Sequence, residues 1–173
     1  MADSAGPLPD TGSGASPVLV SAVTDWFARA LQVPEQARRE WTERGVALLP
    51  LGRRFEAVRM PDHLVHAAVS STVPDEIAWR LGQFLSGPVI YDGRTMGGTY
   101  YALTRPTHQA WRFQDIAPRL SADTHLGVPK LTRTRPPGTY WAVRPRFEGD
   151  LCEPQTVEGL IVTGSATLSG AQR

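Results

Sequence analysis

The sequence predicts an α+β domain built on a mostly antiparallel sheet, with helices on the amino-terminal side and one helix after the strands. Helical spacing of apolar residues marks the first segments, while short strand-like runs occupy the middle of the chain. The strand-like runs are joined by turns too short for a crossover helix, which implies antiparallel neighbours. With 173 residues, of which 41% are hydrophobic and 20% charged, the chain suits one globular domain with a real core.

Residues 1–16 are small, polar and rich in Gly and Pro, so a disordered lead is expected there. The single α+β domain is expected over residues 17–163. In it, Leu19, Val23, Phe27 and Ala30 or Leu31 recur at helical spacing and predict a helix from Val18 to Gln32. Pro34 opens a second helix, "PEQARREWTER", which Gly45 closes. The apolar run "VALLPL" reads as a buried strand that pairs with "FEAVRM" across the "GRR" turn. Pro61 and Pro74 start two further helices, "PDHLVHAAV" and "PDEIAWRLGQFL".

"PVIYD" and "TYYALT" read as strands joined by the turn "GRTMGG". After a loop around Trp111, "THLGVP" and "GTYWAV" are expected to pair with each other. Alternation in the latter puts Trp141 and Val143 in the core and leaves Tyr140, Ala142 and Arg144 on the other face. A last helix, "PQTVEGLIV", covers the sheet, and residues 164–173, "GSATLSGAQR", are expected to be a disordered tail.

The charge balance excludes one class of function. A net charge of +1 argues against binding nucleic acid by bulk electrostatics, so any such binding needs a local patch. Seventeen of the eighteen basic residues are Arg, a skew that a high-GC genome produces by itself. Cys152 is the only cysteine, which rules out a disulfide framework or a thiolate zinc cluster. No basic start and apolar core of signal-peptide length occur, and Asp25 and Arg29 interrupt the most apolar window. A cytoplasmic protein with no membrane role is expected.

His63 and His66 are three apart on one predicted helix, but no further ligands accompany them, and a surface and a half-buried histidine are expected. Asp92 ends a strand and begins a glycine turn, where catalytic carboxylates often sit, although Asp-Gly is also an ordinary turn signal. Two-metal chemistry needs converging carboxylates, and the chain has no Asp-x-Asp pair. Asp123, just ahead of a strand, is the candidate second ligand. Cys152 lies beside acids, which does not favour a reactive thiolate. "GRTMGG" joins two strands with no Gly-Lys-Ser or Gly-Lys-Thr after it, so it is not a phosphate-binding loop.

Three segments carry a family resemblance. They are "ARREWTERGVALLPLG", "MGGTYYALTRP" and "HLGVPKLTRTRPPGTYWAV", together spanning roughly residues 36–146. They resemble the amino-terminal domain of bifunctional DNA primase/polymerase proteins, of the small actinobacterial type. The resemblance implies a primase–polymerase-like fold, a carboxylate strand that holds metals, a histidine after a Gly-Gly pair, and a later histidine facing nucleotide phosphates. Here the carboxylate strand is "VIYDG", with Asp92 alone. The two histidines are replaced within "TYY" and among Thr132 to Arg135. A catalytically inactive relative is therefore expected, with no cofactor.

Such a relative retains weak binding of a nucleotide or single-stranded DNA through Arg94, Arg133, Arg135, Tyr140, Arg144 and Arg146. The alternatives are a non-enzymatic module with a protein partner, and an active primase/polymerase that assembles Mg or Mn on Asp92 and Asp123.

Overall fold

The computed structural model describes residue 14 and residues 16–173 of the chain. The expected disordered lead over 1–16 falls, apart from residues 14 and 16, outside the described residues. The rest is an α+β fold of five helices and antiparallel strands.

Helices α1 (Pro17–Ala28) and α2 (Pro34–Arg44) open it. The first stops earlier than its apolar spacing predicts: the Ala30 and Leu31 N–H groups donate three residues back, to Phe27 O and Ala28 O, and Val33 is extended at φ −114° as the residue before Pro34 must be. Gly45, left-handed at φ +74°, closes α2 and feeds β1 (Val46–Pro50). There follow β2 (Glu56–Pro61), α3 (Asp62–Val69), α4 (Pro74–Leu85), β3 (Val89–Asp92) and β4 (Thr99–Thr104). The short β5 (Arg119–Leu120), β6 (His125–Pro129), β7 (Thr139–Val143) and α5 (Pro154–Ala171) complete the order.

The strands form a five-stranded sheet in the order β5-β2-β4-β3-β7 and a separate two-stranded ribbon of β1 and β6. β3 and β4 pair across the glycine turn as expected. Two other pairings differ from the sequence reading. β1 pairs with β6, Leu48 facing Gly127, and not with β2. Gly52, at φ +102°, lets the Ala122 backbone approach so closely that a Cβ would lie 2.7 Å from its nitrogen. The chain therefore stays beside the lead of β6, with Leu51 N–H donating to Thr124 O, before it crosses to the main sheet. β7 in turn pairs with β3, not with β6.

Both faces of the main sheet are covered. Ala57, Ile90, Leu103 and Trp141 point to one side and pack with α1, α2 and the β1–β6 ribbon. Val58, Met60, Val89, Tyr100 and Ala102 point to the other and pack with α3, α4 and α5. This period-two division is what a strand's alternating side chains produce.

β7 breaks it once. Its register against β3 shifts between Val89 and Ile90, so Ala142 is an extra residue, and Val143 packs on the α4 side rather than with Trp141. The expected shared face of Trp141 and Val143 is corrected by this bulge.

The last helix is also longer than expected. It continues through Ala171, across the stretch expected to be a disordered tail. Gly164 sits where α5 crosses α3, and a Cβ there would lie 2.4 Å from the Leu64 carbonyl oxygen. Among the described residues no helix is long and apolar enough to cross a membrane.

Candidate functional site

The carboxyl end of β3, the end of α2 and the ribbon meet around an open groove of about 570 Å³. Each wall follows from local sequence. Arg44 is the last residue of α2, placed at the mouth by the Gly45 turn. Arg133 follows β6, and its guanidinium lies against Gly45, where a Cβ would come within 3.2 Å of the guanidinium carbon. Arg94 stands on the glycine turn after β3 and reaches toward Gly127 of β6. Val46, Leu48 and Pro137 add an apolar wall, and Leu48 is 55% exposed.

Beneath Arg94 lies Asp92. Its Oδ1 accepts the Arg94 backbone N–H and Nε–H, both at 3.0 Å, and its Oδ2 accepts Nη2–H at 3.2 Å. The Thr139 hydroxyl donates to Oδ1 at 3.3 Å across the β3–β7 pair. Partial burial pushes the Asp92 carboxyl up, but the Arg94 hydrogen bonds and charge, with Thr139, outweigh burial and hold it below the usual carboxylate range.

Glu40 is the other acid in the groove. It accepts the Leu48 N–H at 2.8 Å, on the outer edge of β1, and the Gln36 amide at 3.2 Å. The Leu48 N–H first, then Gln36, with Arg44 and Arg39 nearby, lower its carboxyl despite some desolvation. Both carboxylates are thus held by donors of the protein itself. Among the described residues neither Arg44 nor Arg133 forms an ion pair. Two free guanidinium groups and the outer edge of a third therefore face the groove, an arrangement suited to an anion.

The Mg or Mn that the family resemblance implies does not fit these residues. Both Asp92 oxygens already accept from the Arg94 fork, and a cation would have to displace it. Asp123, the candidate second ligand, is exposed in the turn ahead of β6 at φ +66° and is not among the residues that line the groove. Among the described residues no three His, Cys, Asp or Glu side chains converge as a metal site.

The other predicted binding residues disperse. Arg144 and Arg146 follow Val143, at the opposite end of β7 from Thr139. Arg146 is spent on structure: its backbone N–H and its guanidinium bind the buried Asp150, and Nη2–H also donates to Ser86 O at 2.8 Å. Arg135 lines a separate hollow of about 260 Å³ with Asp75 at the start of α4.

Tyr140, expected to be free for a ligand, is 7% exposed and packs on Tyr91 with ring centroids 5.3 Å apart. Tyr91 packs in turn on Tyr100 at 4.7 Å, whose hydroxyl lies 3.3 Å from His66 Nε2. His63 is exposed and His66 half-buried.

Of the predicted binding set, then, the groove brings together Arg94 and Arg133. Sequence reasoning missed Arg44, Glu40 and the apolar wall. The one available signal was the Arg44-Gly45 helix end, which places a cation at a chain reversal without saying what it faces. Compared with family models, curated proteins and solved structures, the chain has no match.

Proposed function

We propose that the chain is a primase–polymerase-like domain without nucleotidyl transfer, which binds a nucleotide through its phosphates in the Arg44–Arg94–Arg133 groove. The observation that carries this reading is the convergence of three guanidinium groups from three distant segments on one groove. Its volume of about 570 Å³ lies within the range typical of small-molecule sites. Arginine forks suit the phosphates, and Val46, Leu48 and Pro137 offer an apolar wall for a base.

A single nucleotide fits this geometry better than a nucleic-acid strand. Strand binding combines a basic track with aromatic faces open to bases. Here the buried Tyr140 offers no such face, and Arg146 is committed to Asp150.

The test is calorimetric titration of deoxyadenosine triphosphate into the full chain with EDTA present. Binding that weakens as salt rises, and is lost in Arg133→Ala, supports the reading. Absence of binding at low salt overturns it.

The second reading is a non-enzymatic protein-interaction module. It draws on Trp79, 66% exposed, and Phe84, 40% exposed, beside a hollow of about 380 Å³ on α4. A stable partner that survives nuclease treatment and is lost in Trp79→Ala would favour it over nucleotide binding.

A further inference from the structure

Asp92 occupies the position where the family resemblance calls for a metal ligand, yet its oxygens face a guanidinium. Four donor atoms converge on this carboxylate: the Arg94 backbone nitrogen, Nε and Nη2, and the Thr139 hydroxyl. The exposures of the two side chains are unequal. Asp92 is 13% exposed and Arg94 63%, so the carboxylate lies underneath and the guanidinium above, toward solvent and the groove.

Arginine presents five N–H donors in a planar fork. Two of them, on the Nε and Nη2 edge, are used on Asp92. The Nη1 pair and the second Nη2 hydrogen stay free on the other edge. The grip also removes rotamer freedom from a long side chain that stands on an exposed glycine turn. An arginine already ordered in this way loses less entropy when it meets an anion.

We propose that the groove is a metal-independent phosphate site in which Asp92 is a positioning residue. It holds Arg94 so that the free edge of the guanidinium joins Arg44 and Arg133 around one anionic group. This rests on the nucleotide-binding reading and goes beyond it, because it assigns Asp92 a role opposite to metal ligation. The acid lends order to a cation of the protein instead of charge to a bound metal. The negative charge of Asp92 opposes an anion, but it is satisfied by four donors and shielded by Arg94, so orientation outweighs repulsion.

The experiment is a double-mutant cycle on the full chain, read by calorimetric titration of deoxyadenosine triphosphate with EDTA present. Asp92→Asn is expected to weaken binding about tenfold. In the Arg94→Ala background the same Asp92→Asn change is expected to cause no further loss, and a modest gain, because only the repulsion remains to be removed. A general structural role for Asp92 would weaken binding in both backgrounds, and that result overturns the proposal. Asp92→Asn binding as tightly as wild type, while Arg133→Ala loses binding, also overturns it and leaves the nucleotide reading standing. Failure of the wild-type chain to bind overturns both. Manganese titration followed by electron paramagnetic resonance is a second readout. No binding to the free chain is expected, and a bound manganese signal lost in Asp92→Asn contradicts the proposal.

Discussion

The Asp92 carboxylate and the Arg94 guanidinium face each other fork to fork, Nε to Oδ1 at 3.0 Å and Nη2 to Oδ2 at 3.2 Å. This pair decides how the end of β3 can be used. A carboxylate gripped from two atoms of a guanidinium is a support for a cation already in place, and the guanidinium charge beside it opposes a metal. The groove around it consequently presents guanidinium groups, as the proposed anion site requires.

Magnesium is expected to weaken nucleotide binding. The groove supplies positive charge from arginines, and magnesium neutralises the phosphates they would bind. Titrating deoxyadenosine triphosphate with and without magnesium checks this, with a several-fold loss expected. A magnesium requirement, or manganese-dependent incorporation of nucleotide on a primed template that is lost in Asp92→Ala, would instead favour an active polymerase.

The Asp92–Arg94 pair also contributes to stability, with a defined pH dependence. The folded carboxyl lies below its ordinary value, so its contribution is present above the unfolded pKa and is lost as pH falls through the folded value. Asp92→Asn should cost about 0.5–1 kcal/mol at neutral pH, because Arg94 is 63% exposed and solvent screens the pair. Denaturant melts at neutral pH and at about pH 2 should show the difference between variant and wild type shrinking on the acid side.

Arg146→Ala should destabilise the fold without affecting nucleotide affinity. Asp150 is 3% exposed, and Arg146 supplies its side-chain partner at Nε and Nη2. Removal leaves a buried carboxylate with only the backbone N–H of residue 146, at a cost of about 2–4 kcal/mol, moderated because Arg146 is itself half exposed. Melts and titrations on one preparation separate the two effects.

Gly164→Val should cost about 1–3 kcal/mol or more, through overpacking where α5 crosses α3. A Cβ at this position meets the Leu64 backbone oxygen, which cannot swing aside as a side chain would. The neighbouring Gly170, with nothing near its Cβ position, is the control whose substitution by Ala should leave the melt unchanged or slightly raised.

Cys152 should be unreactive in the folded chain. Burial first, and then Asp150, push its thiol up to about 12. At pH 8 this leaves a thiolate fraction of about 10⁻⁴, and the sulfur is fully enclosed besides. Labelling by a disulfide reagent is expected only after unfolding in denaturant, and rapid native labelling would contradict it.

Much of the local structure was legible because its causes are local. Pro34, Pro74 and Gly45 mark helix ends by their own backbone limits, and Gly97 and Gly98 adopt the positive φ values that turn β3 back to β4. Pairings set by distant contacts were not legible. β1 joins β6 because Gly52 admits Ala122, seventy positions along the chain, and nothing in "PLGRR" announces that neighbour. The extra Ala142 in β7 shifts Val143 to the α4 side, which alternation alone cannot foresee.

The candidate site divides in the same way. Asp92 and Arg94 are two residues apart at a strand end, and both stood out. Arg44 reaches the groove only because the ribbon folds back beside α2, while Arg144 and Arg146 cluster with Arg133 around Tyr140 and Trp141 in sequence alone. The strand between them carries the two groups to opposite ends of the sheet. Gly164 read as the start of a loose end because its lack of a side chain signals flexibility as readily as close packing.

Arg44, Arg94 and Arg133 are proposed to form one metal-independent phosphate site. The deciding measurement is calorimetric titration of deoxyadenosine triphosphate, in EDTA at low and at high salt, into wild type and Arg133→Ala. Binding at low salt that fades at high salt and disappears in the variant is the predicted result. No heat of binding to the wild-type chain at low salt, or equal affinity in Arg133→Ala, would contradict it.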